Sequence, residues 1–336
     1  MNYNMDKIFN NKLINLIYDS ELKNNILFYL NNNDIRYISH TCMLIRNNFI
    51  NNHIIYFNLN SFTSCNYLED FNMRYKINKI GKIYSANLDR WTETNFIVPN
   101  PKCDNISVFS NIYSLNMTNS IYLYNVSSLG QIHTLNLSGC IDISDVSALG
   151  NVYNLNLSGC ISILDVSSLG NVHILNLTGC KNITSVSALG NVYNLNLSGC
   201  TNITDVSALG NVYNLNLQSC YNIIDYTVLN NNHTLNLSDS INIYDVSSFK
   251  NVYNLNLTWC NKITDVSPLK NVHTLNLTYC NKITDVSPLK NVHTLILNNC
   301  NNIFDVSMLS TVNYLEIENC DNILDIVTCM ILKNNM

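Results

Sequence analysis

A unit of twenty residues recurs along most of this chain without insertion or deletion, from residue 111 to residue 330. One copy is NVYNLNLSGCTNITDVSALG, from Asn191 to Gly210. With Val192 as position 1, apolar residues fall at positions 1, 4, 6, 9, 12, 15 and 18 of every regular copy. A fixed period of this size predicts a stacked solenoid, in which each coil packs on its two neighbours.

The apolar spacing also assigns local structure within the unit. The segment from about 193 to 197 is predicted to be a strand, parallel to the equivalent strands of neighbouring coils. Twenty residues leave no room for a full helix, so Asp205–Leu209 is predicted to form a 3₁₀ turn whose free N–H groups the Asp side chain caps. Asn occupies position 5 from Asn116 to Asn276, and we expect these amides to bond to one another in a ladder.

The spacing Val192-x-x-Leu195-x-Leu197-x-x-Cys200-x-x-Ile203 resembles the leucine-rich repeat, with Cys where Asn is more usual. The resemblance implies an α/β fold, a right-handed leucine-rich-repeat solenoid with parallel strands on one face and short 3₁₀ turns on the other. By this division, residues 111–330 form eleven repeats of twenty residues, and residues 331–336 are a C-terminal tail.

Composition excludes several classes of function. The chain has 18 Lys and Arg against 23 Asp and Glu, for a net charge of -5, so no basic footprint predicts a nucleic-acid partner. No apolar run approaches the roughly 18 residues of a membrane span, and the start, MNYNMDKIFNNKL, lacks the features of a signal peptide. We therefore expect an intracellular protein of the cytoplasm or nucleus that does not enter a membrane.

The cysteines support the same location. Of the 13 cysteines, nine occupy position 9 of the repeat: Cys140, Cys160, Cys180, Cys200, Cys220, Cys260, Cys280, Cys300 and Cys320. A column of this kind favours small, buried, unpaired thiols over disulfides. In addition, glycosylation sequons recur inside the stacked strands, as at Asn156-Leu-Ser, where a glycan would not fit.

The chain before the regular repeats divides into three parts. Residues 1–12 are predicted to be a flexible tail, 13–50 short helices, and 51–110 degenerate capping repeats with loop insertions. In the last part, Ile54 and Phe57, and later Ile83 and Ala86, match apolar strand positions of the unit. Terminal repeats are expected to depart from the pattern because they close the stack.

The helical part carries a second resemblance. Glu21-Leu22, Ile26-Leu27, Tyr29-Leu30, Asp34-Ile35, Cys42 and Arg46 keep the spacing of the F-box motif, although Tyr18-Asp19 stand where Leu-Pro is usual. The resemblance implies a small all-helical F-box-like region that binds a Skp1-like linker protein. The residues it implies for that contact are Leu22, Ile26, Leu27, Leu30, Ile35 and Ile38. The alternative is a helical cap that only closes the solenoid.

No residue pattern indicates catalysis, and we expect neither a cofactor nor a metal. Ser207 and its equivalents occupy a fixed turn position, and Asp205 and its equivalents lack the glycine spacing of calcium-binding solenoids. Position 2 alternates between Tyr and His, as in Tyr193 and His173, which indicates a flat, half-exposed ring rather than a metal ligand. There is no C-x-x-C pair, so a structural zinc site is not expected.

Differences between coils point to the candidate binding surface. The copies 261–280 and 281–300 differ at three of twenty positions, all on the strand side. The predicted substrate face consists of Tyr253, Trp259, His273, Tyr279, Ile296, Glu316 and Glu318. Exposed aromatic side chains on a rigid sheet are preferred anchors of protein interfaces. Drift after duplication of the coils is the alternative explanation, because it would also leave the core residues unchanged while surface residues vary.

These observations lead to one functional hypothesis and two alternatives. The first is a non-enzymatic protein-binding solenoid that resembles the F-box/leucine-rich-repeat substrate adaptors of Skp1-cullin-F-box ubiquitin ligases, with an unknown protein substrate on the strand face. The second is a leucine-rich-repeat scaffold without a ligase role, and the third is a receptor for a carbohydrate or another ligand. The sequence does not identify the bound substrate.

Overall fold

The computed structural model describes residues 113–120 and 123–323, together with the strand backbones of 55–58 and 83–87. The helical region predicted at 13–50, with its six linker-binding residues, lies outside the described residues, as do both tails. Within the described residues, thirteen strands form one parallel sheet and are hydrogen-bonded in sequence order. The chain therefore advances by one coil per strand, as the repeat predicts.

The strands are short, and from β3 onwards they are twenty residues apart in the chain. They are β1 (Ile55–Asn58), β2 (Ile83–Asn87), β3 (Ser114–Asn116), β4 (Thr134–Asn136), β5 (Asn154–Asn156), β6 (Ile174–Asn176), β7 (Asn194–Asn196), β8 (Asn214–Asn216), β9 (Thr234–Asn236), β10 (Asn254–Asn256), β11 (Thr274–Asn276), β12 (Thr294–Ile296) and β13 (Tyr314–Glu316). Equivalent residues pair without slippage from β3 onwards, as in Leu195 with Leu215. β2 joins this register by pairing Ala86 with Leu115.

On the side of the coil away from the strands, most described coils contain a 3₁₀ turn. These turns are Ser127–Leu129, Ser147–Asn151, Ser167–Asn171, Leu189–Asn191, Ser207–Asn211, Ser247–Phe249, Ser267–Leu269, Ser287–Asn291 and Ser307–Thr311. The predicted caps are present, since Asp205 Oδ1 accepts the N–H of Ser207 at 2.8 Å. Where Ser185 replaces Asp, the 3₁₀ turn begins at Leu189 rather than at the position of Ser187.

The core is one continuous column of the repeated apolar residues. In the coil that begins at Val192, all seven predicted positions are at most 1% exposed. The nine repeat thiols are buried and unpaired. Each also donates to a backbone carbonyl of the preceding coil, as Cys200 Sγ does to Leu177 at 3.1 Å. Burial raises the pKa of the Cys180 thiol to about 11, so these thiols stay protonated and contribute to packing.

The predicted amide ladder at position 5 is wrong. Asn196 Oδ1 instead accepts the N–H of Ser198, two residues further along its own chain, at 3.0 Å, and the same bond recurs at Asn136 and Asn256. Among the described coils, no hydrogen bond joins the position 5 amides of two neighbours. The column is retained because each amide closes the turn that follows its strand, a local role typical of Asn.

Candidate functional site

The ends of the strands carry the aromatic side chains of the predicted substrate face. Position 2 precedes each strand and position 8 follows it, so the face has an aromatic row at one margin and a turn at the other. Between the margins, positions 3 and 5 show half-buried Asn and Thr side chains in most coils. The predicted residues therefore occupy three places on one face.

At the first margin, the Tyr and His rings of position 2 form a continuous stack. Ten rings contribute, with neighbouring centroids between 4.3 and 4.8 Å apart. Their residues are Tyr113, His133, Tyr153, His173, Tyr193, Tyr213, His233, Tyr253, His273 and His293. Tyr253 and His273 of the predicted face are two members, 4.3 Å apart. The stack agrees with the prediction of a flat ring at position 2 from Tyr113 to His293, whereas Asn313 occupies this position in the last described coil.

At the second margin, Trp259 and Tyr279 stack on each other with centroids 4.0 Å apart and planes 12° from parallel. Trp259 is 43% exposed. The two residues occupy the same position of adjacent coils, so the rigid strand spacing holds their rings in contact. The structure thus brings together the pair of large aromatic residues that the sequence singled out.

The backbone at position 8 is left-handed in every described coil. The early coils use Gly139, Gly159, Gly179 and Gly199, with φ between 72° and 74°. Trp259 and Tyr279 adopt the same conformation, with φ of 65° and 61°. A bulky residue rarely occupies this region, and the conformation costs about 1–2 kcal/mol for a residue that has a Cβ atom.

The remaining predicted residues lie near the end of the stack. Ile296 pairs with Glu316 across β12 and β13. The Glu316 carboxylate accepts hydrogen bonds from Asn298 Nδ2 at 2.5 Å and from the Tyr314 hydroxyl at 3.3 Å. Glu318 is exposed, and its backbone N–H donates to Asn298 Oδ1. These three residues form a group separate from the aromatic pair, so the seven predicted residues are not a single cluster.

A group of exposed apolar side chains, which the sequence pattern did not predict as a site, lies outside the strand face. Tyr221 and Ile224 follow β8, and Ile241 and Tyr244 follow β9, so all four lie beyond the strands of two adjacent coils. The differences between coils that predicted the substrate face lie on the strand side. A comparison of positions 10 and 13 between coils would have found these residues.

The described residues contain neither a cluster of metal ligands nor a helix that could span a membrane. Within 113–120 and 123–323, no group of three or more His, Cys, Asp or Glu side chains is arranged to hold a metal ion. No helix in the part of the chain that the structure describes is long and apolar enough to cross a bilayer.

Comparisons with known proteins agree with this architecture. A family model described as Leucine Rich repeats (2 copies) matches residues 250–291. An internalin (inlF) of Listeria monocytogenes str. 4b F2365 is similar in structure, with a TM-score of 0.57 and 22% identity, over 76% of this chain and 82% of that one. No curated protein matches the chain.

Two further solved structures are similar over much of the chain. A leucine-rich-repeat protein of Leptospira interrogans has a TM-score of 0.49 and 19% identity, and covers 72% of this chain and 73% of its own. The functional domain of InlJ from Listeria monocytogenes, which includes a cysteine ladder, has a TM-score of 0.47 and 20% identity, over 72% of this chain and 60% of that one. The repeat pattern, the matched family model and the fold shared with inlF show that this chain carries leucine-rich repeats stacked as a solenoid.

Proposed function

We propose that this protein is a non-enzymatic protein-interaction scaffold whose partner binds the strand face at Trp259 and Tyr279. The observation that supports the proposal is the stacked pair of rings in left-handed backbone. Strained residues of this kind concentrate at binding sites, where the surrounding structure holds them in place. Large aromatic residues on a rigid surface also contribute disproportionately to protein interfaces.

Drift after duplication is a weaker explanation for this pair. Gly occupies the position in four earlier coils, and the short polar residues Asn119, Ser219 and Asn299 in three others. All of these tolerate the left-handed conformation better than Trp or Tyr does. Drift accounts for variation at an exposed position, but it gives no reason for two adjacent residues of the least suitable type to meet face to face.

The test replaces both rings by the residue that earlier coils use, as Trp259→Gly with Tyr279→Gly. Removing the strained side chains stabilises the folded state by about 1–2 kcal/mol per residue. This gain is offset by the loss of ring stacking, about 0.5–1.5 kcal/mol for the pair, and by the greater unfolded-state entropy of Gly, about 0.5–1 kcal/mol per residue. The variant should therefore fold with nearly unchanged stability. Proteins that the wild-type chain retains are identified by mass spectrometry and purified. Each is then titrated against the wild type and the double variant, and the variant should not bind.

The matched control is Asn119→Gly, which makes the same kind of change in a distant coil where φ is 59°. This variant should bind the purified partner as the wild type does. A partner that binds the Trp259 and Tyr279 variant with wild-type affinity contradicts the proposed site.

Within this function, we further propose that the chain is the substrate adaptor of a Skp1-cullin-F-box type ubiquitin ligase. The support is the F-box-like spacing from Glu21 to Arg46, followed in the chain by leucine-rich repeats. Leu22, Ile26, Leu27, Leu30, Ile35 and Ile38 would contact the Skp1-like linker. The proposal places the protein in the cytoplasm or nucleus, in keeping with its nine buried, unpaired thiols.

A pull-down with a purified Skp1-like protein tests the adaptor role. Wild-type protein should retain the linker, whereas Ile26→Asp with Leu30→Asp should not, because a carboxylate in an apolar contact is costly to desolvate. Circular dichroism shows whether the variant keeps the fold of its repeats. If folded wild-type protein fails to bind the linker, the adaptor role is excluded and the scaffold without a ligase role remains.

A further inference from the structure

A block of apolar side chains lies outside the strand face, on the segment of each coil that spans positions 10 to 14 of the repeat. We call this segment the flank of the coil. On the flanks of two adjacent coils, Tyr221 is 42% exposed, Ile224 79%, Ile241 53% and Tyr244 73%. Exposed apolar side chains are ordinary when they are scattered, whereas a contiguous group marks an interaction site.

These four side chains, which we call the flank patch, occupy equivalent positions of neighbouring coils. Tyr221 and Ile241 are twenty residues apart, as are Ile224 and Tyr244. The flanks are fixed to one another because Asn242 Nδ2 donates to the carbonyls of Tyr221 and Ile223, at 2.9 and 3.3 Å. The patch is therefore a two-by-two arrangement on a rigid backbone.

Several coils have a polar residue at the position of Ile224 and Tyr244, namely Thr184, Thr204, Thr264 and Thr284. Exposed apolar residues also occupy the two flank positions in earlier coils, as Tyr124, Ile141, Ile161 and Leu164, and in one later coil, as Phe304. The repeat itself thus shows that a polar residue is compatible with the fold here, so folding does not explain the apolar residues of the flank patch.

The core beneath the patch is altered in the same two coils. Tyr226 replaces the usual Val and Phe249 the usual Leu, and their rings pack edge to face with centroids 6.5 Å apart. Ser240 replaces the usual Cys. This pair of coils therefore departs from the repeat both in its core and on its flank surface. The strand face, in contrast, varies most after residue 250.

The patch has an acidic margin. Asp225 follows Ile224 directly and Asp245 follows Tyr244, while Asp205 and Asp265 extend the row into the adjoining coils. Hydrogen bonds from the backbone and side chain of Thr227 lower the pKa of Asp225, and those of Ser247 do the same for Asp245. These carboxylates are ionised at neutral pH, and Lys262 is the one basic residue on the flanks from 220 to 265.

We propose that the flank patch is a docking surface for an amphipathic basic segment of a second protein, separate from the strand-face site proposed above. Apolar side chains of the segment would cover Ile224 and Tyr244, and its Lys or Arg side chains would face the row of Asp carboxylates. A second copy of this chain is a poorer occupant, since a two-fold contact would bring two Asp rows together. An anionic lipid surface would be repelled by the same charges.

The experiment measures binding of a fluorescent peptide to the full chain by anisotropy. The probe is a Leu/Lys peptide of about 18 residues, long enough to form an amphipathic helix. A Leu/Glu peptide with the same apolar face serves as the charge control. The wild-type chain should bind the Leu/Lys peptide at least about tenfold more tightly than the Leu/Glu peptide, and the double variant Ile224→Thr with Tyr244→Thr should lose that preference.

The matched control is Phe304→Thr, which removes an exposed apolar residue at the same position of a later coil, next to Asp305. This variant should bind the Leu/Lys peptide as the wild type does. Three results would overturn the proposal: equal binding by the double variant, equal binding of both peptides, or binding to anionic vesicles through the patch. Self-association that the double variant abolishes would also overturn it, in favour of a second copy.

Discussion

At the scale of the residue, one position of the repeat can require a backbone conformation that its side chains do not reveal. Gly139, Gly159, Gly179 and Gly199 look like bland turn residues, yet their φ of 72–74° defines a left-handed position that Trp259 must also adopt. The sequence predicted that Trp259 and Tyr279 are exposed anchors; Trp259 is exposed, whereas Tyr279 is half-buried. The strain that both residues bear was not predicted. The sign of φ at a turn depends on how the coil closes, which apolar spacing does not specify.

The Asp that caps each 3₁₀ turn gives a prediction at the same scale. Ser185 lacks a carboxylate, so Ser185→Asp should supply an acceptor for the N–H of Ser187, as Asp165 does for Ser167 at 2.8 Å. The variant should unfold at a higher temperature than the wild type at pH 7, because a capped N–H is satisfied rather than left to solvent. Thermal unfolding followed by circular dichroism measures the difference.

The gain from Ser185→Asp should depend on pH in a definite direction. Hydrogen bonds lower the pKa of Asp165 from the usual 3.8, and the new carboxylate should behave alike. The added stability is present above pH 3.8 and is lost as the pH falls through the lower pKa of the folded state. Ser185→Asn is the control, since Asn125 Oδ1 makes the same bond to Ser127 at 3.0 Å without charge. A gain from Asp that persists in strong acid would contradict this account.

At the scale of the element, one coil departs from the others. Asn232 replaces the apolar first residue and is 1% exposed. Its side-chain NH₂ donates to the carbonyls of Leu209 and Val212, at 3.0 and 2.6 Å, but its Oδ1 and the Ser240 hydroxyl are buried without a partner in the described structure. The preceding segment also lacks the 3₁₀ turn seen in the coils on either side. A buried unsatisfied group costs about 1–3 kcal/mol.

We therefore expect faster amide exchange at residues 229–241 than in the equivalent segments of the flanking coils. A local deficit of about 1 kcal/mol corresponds to a difference of about fivefold. Hydrogen exchange read by mass spectrometry measures it, and Asn232→Val should restore slow exchange by replacing the buried amide with the usual side chain. Uniform protection along the wild-type solenoid would show that Asn232 and Ser240 are accommodated without cost.

At the scale of the whole molecule, the repeat predicted the architecture better than the surface. Val192, Leu195 and Leu197 are buried as expected, because the same repeat positions form the core of each regular coil and neighbouring strands pair in register. The grouping of surface residues was harder to predict, since Tyr253 and Trp259 lie at opposite ends of one strand. Whether two exposed side chains contact each other depends on where they lie around the coil. A sequence difference between two copies of the repeat does not indicate that location.

The strict register of the sheet also makes the coil a unit of length. Because the regular coils share one register and one set of core positions, a regular coil can be added or removed without a new packing problem. Each such change between β3 and β10 would move Trp259 by about 4.8 Å relative to β3. The spacing between the two ends can thus be adjusted in fixed steps, while the residues at each end stay unchanged.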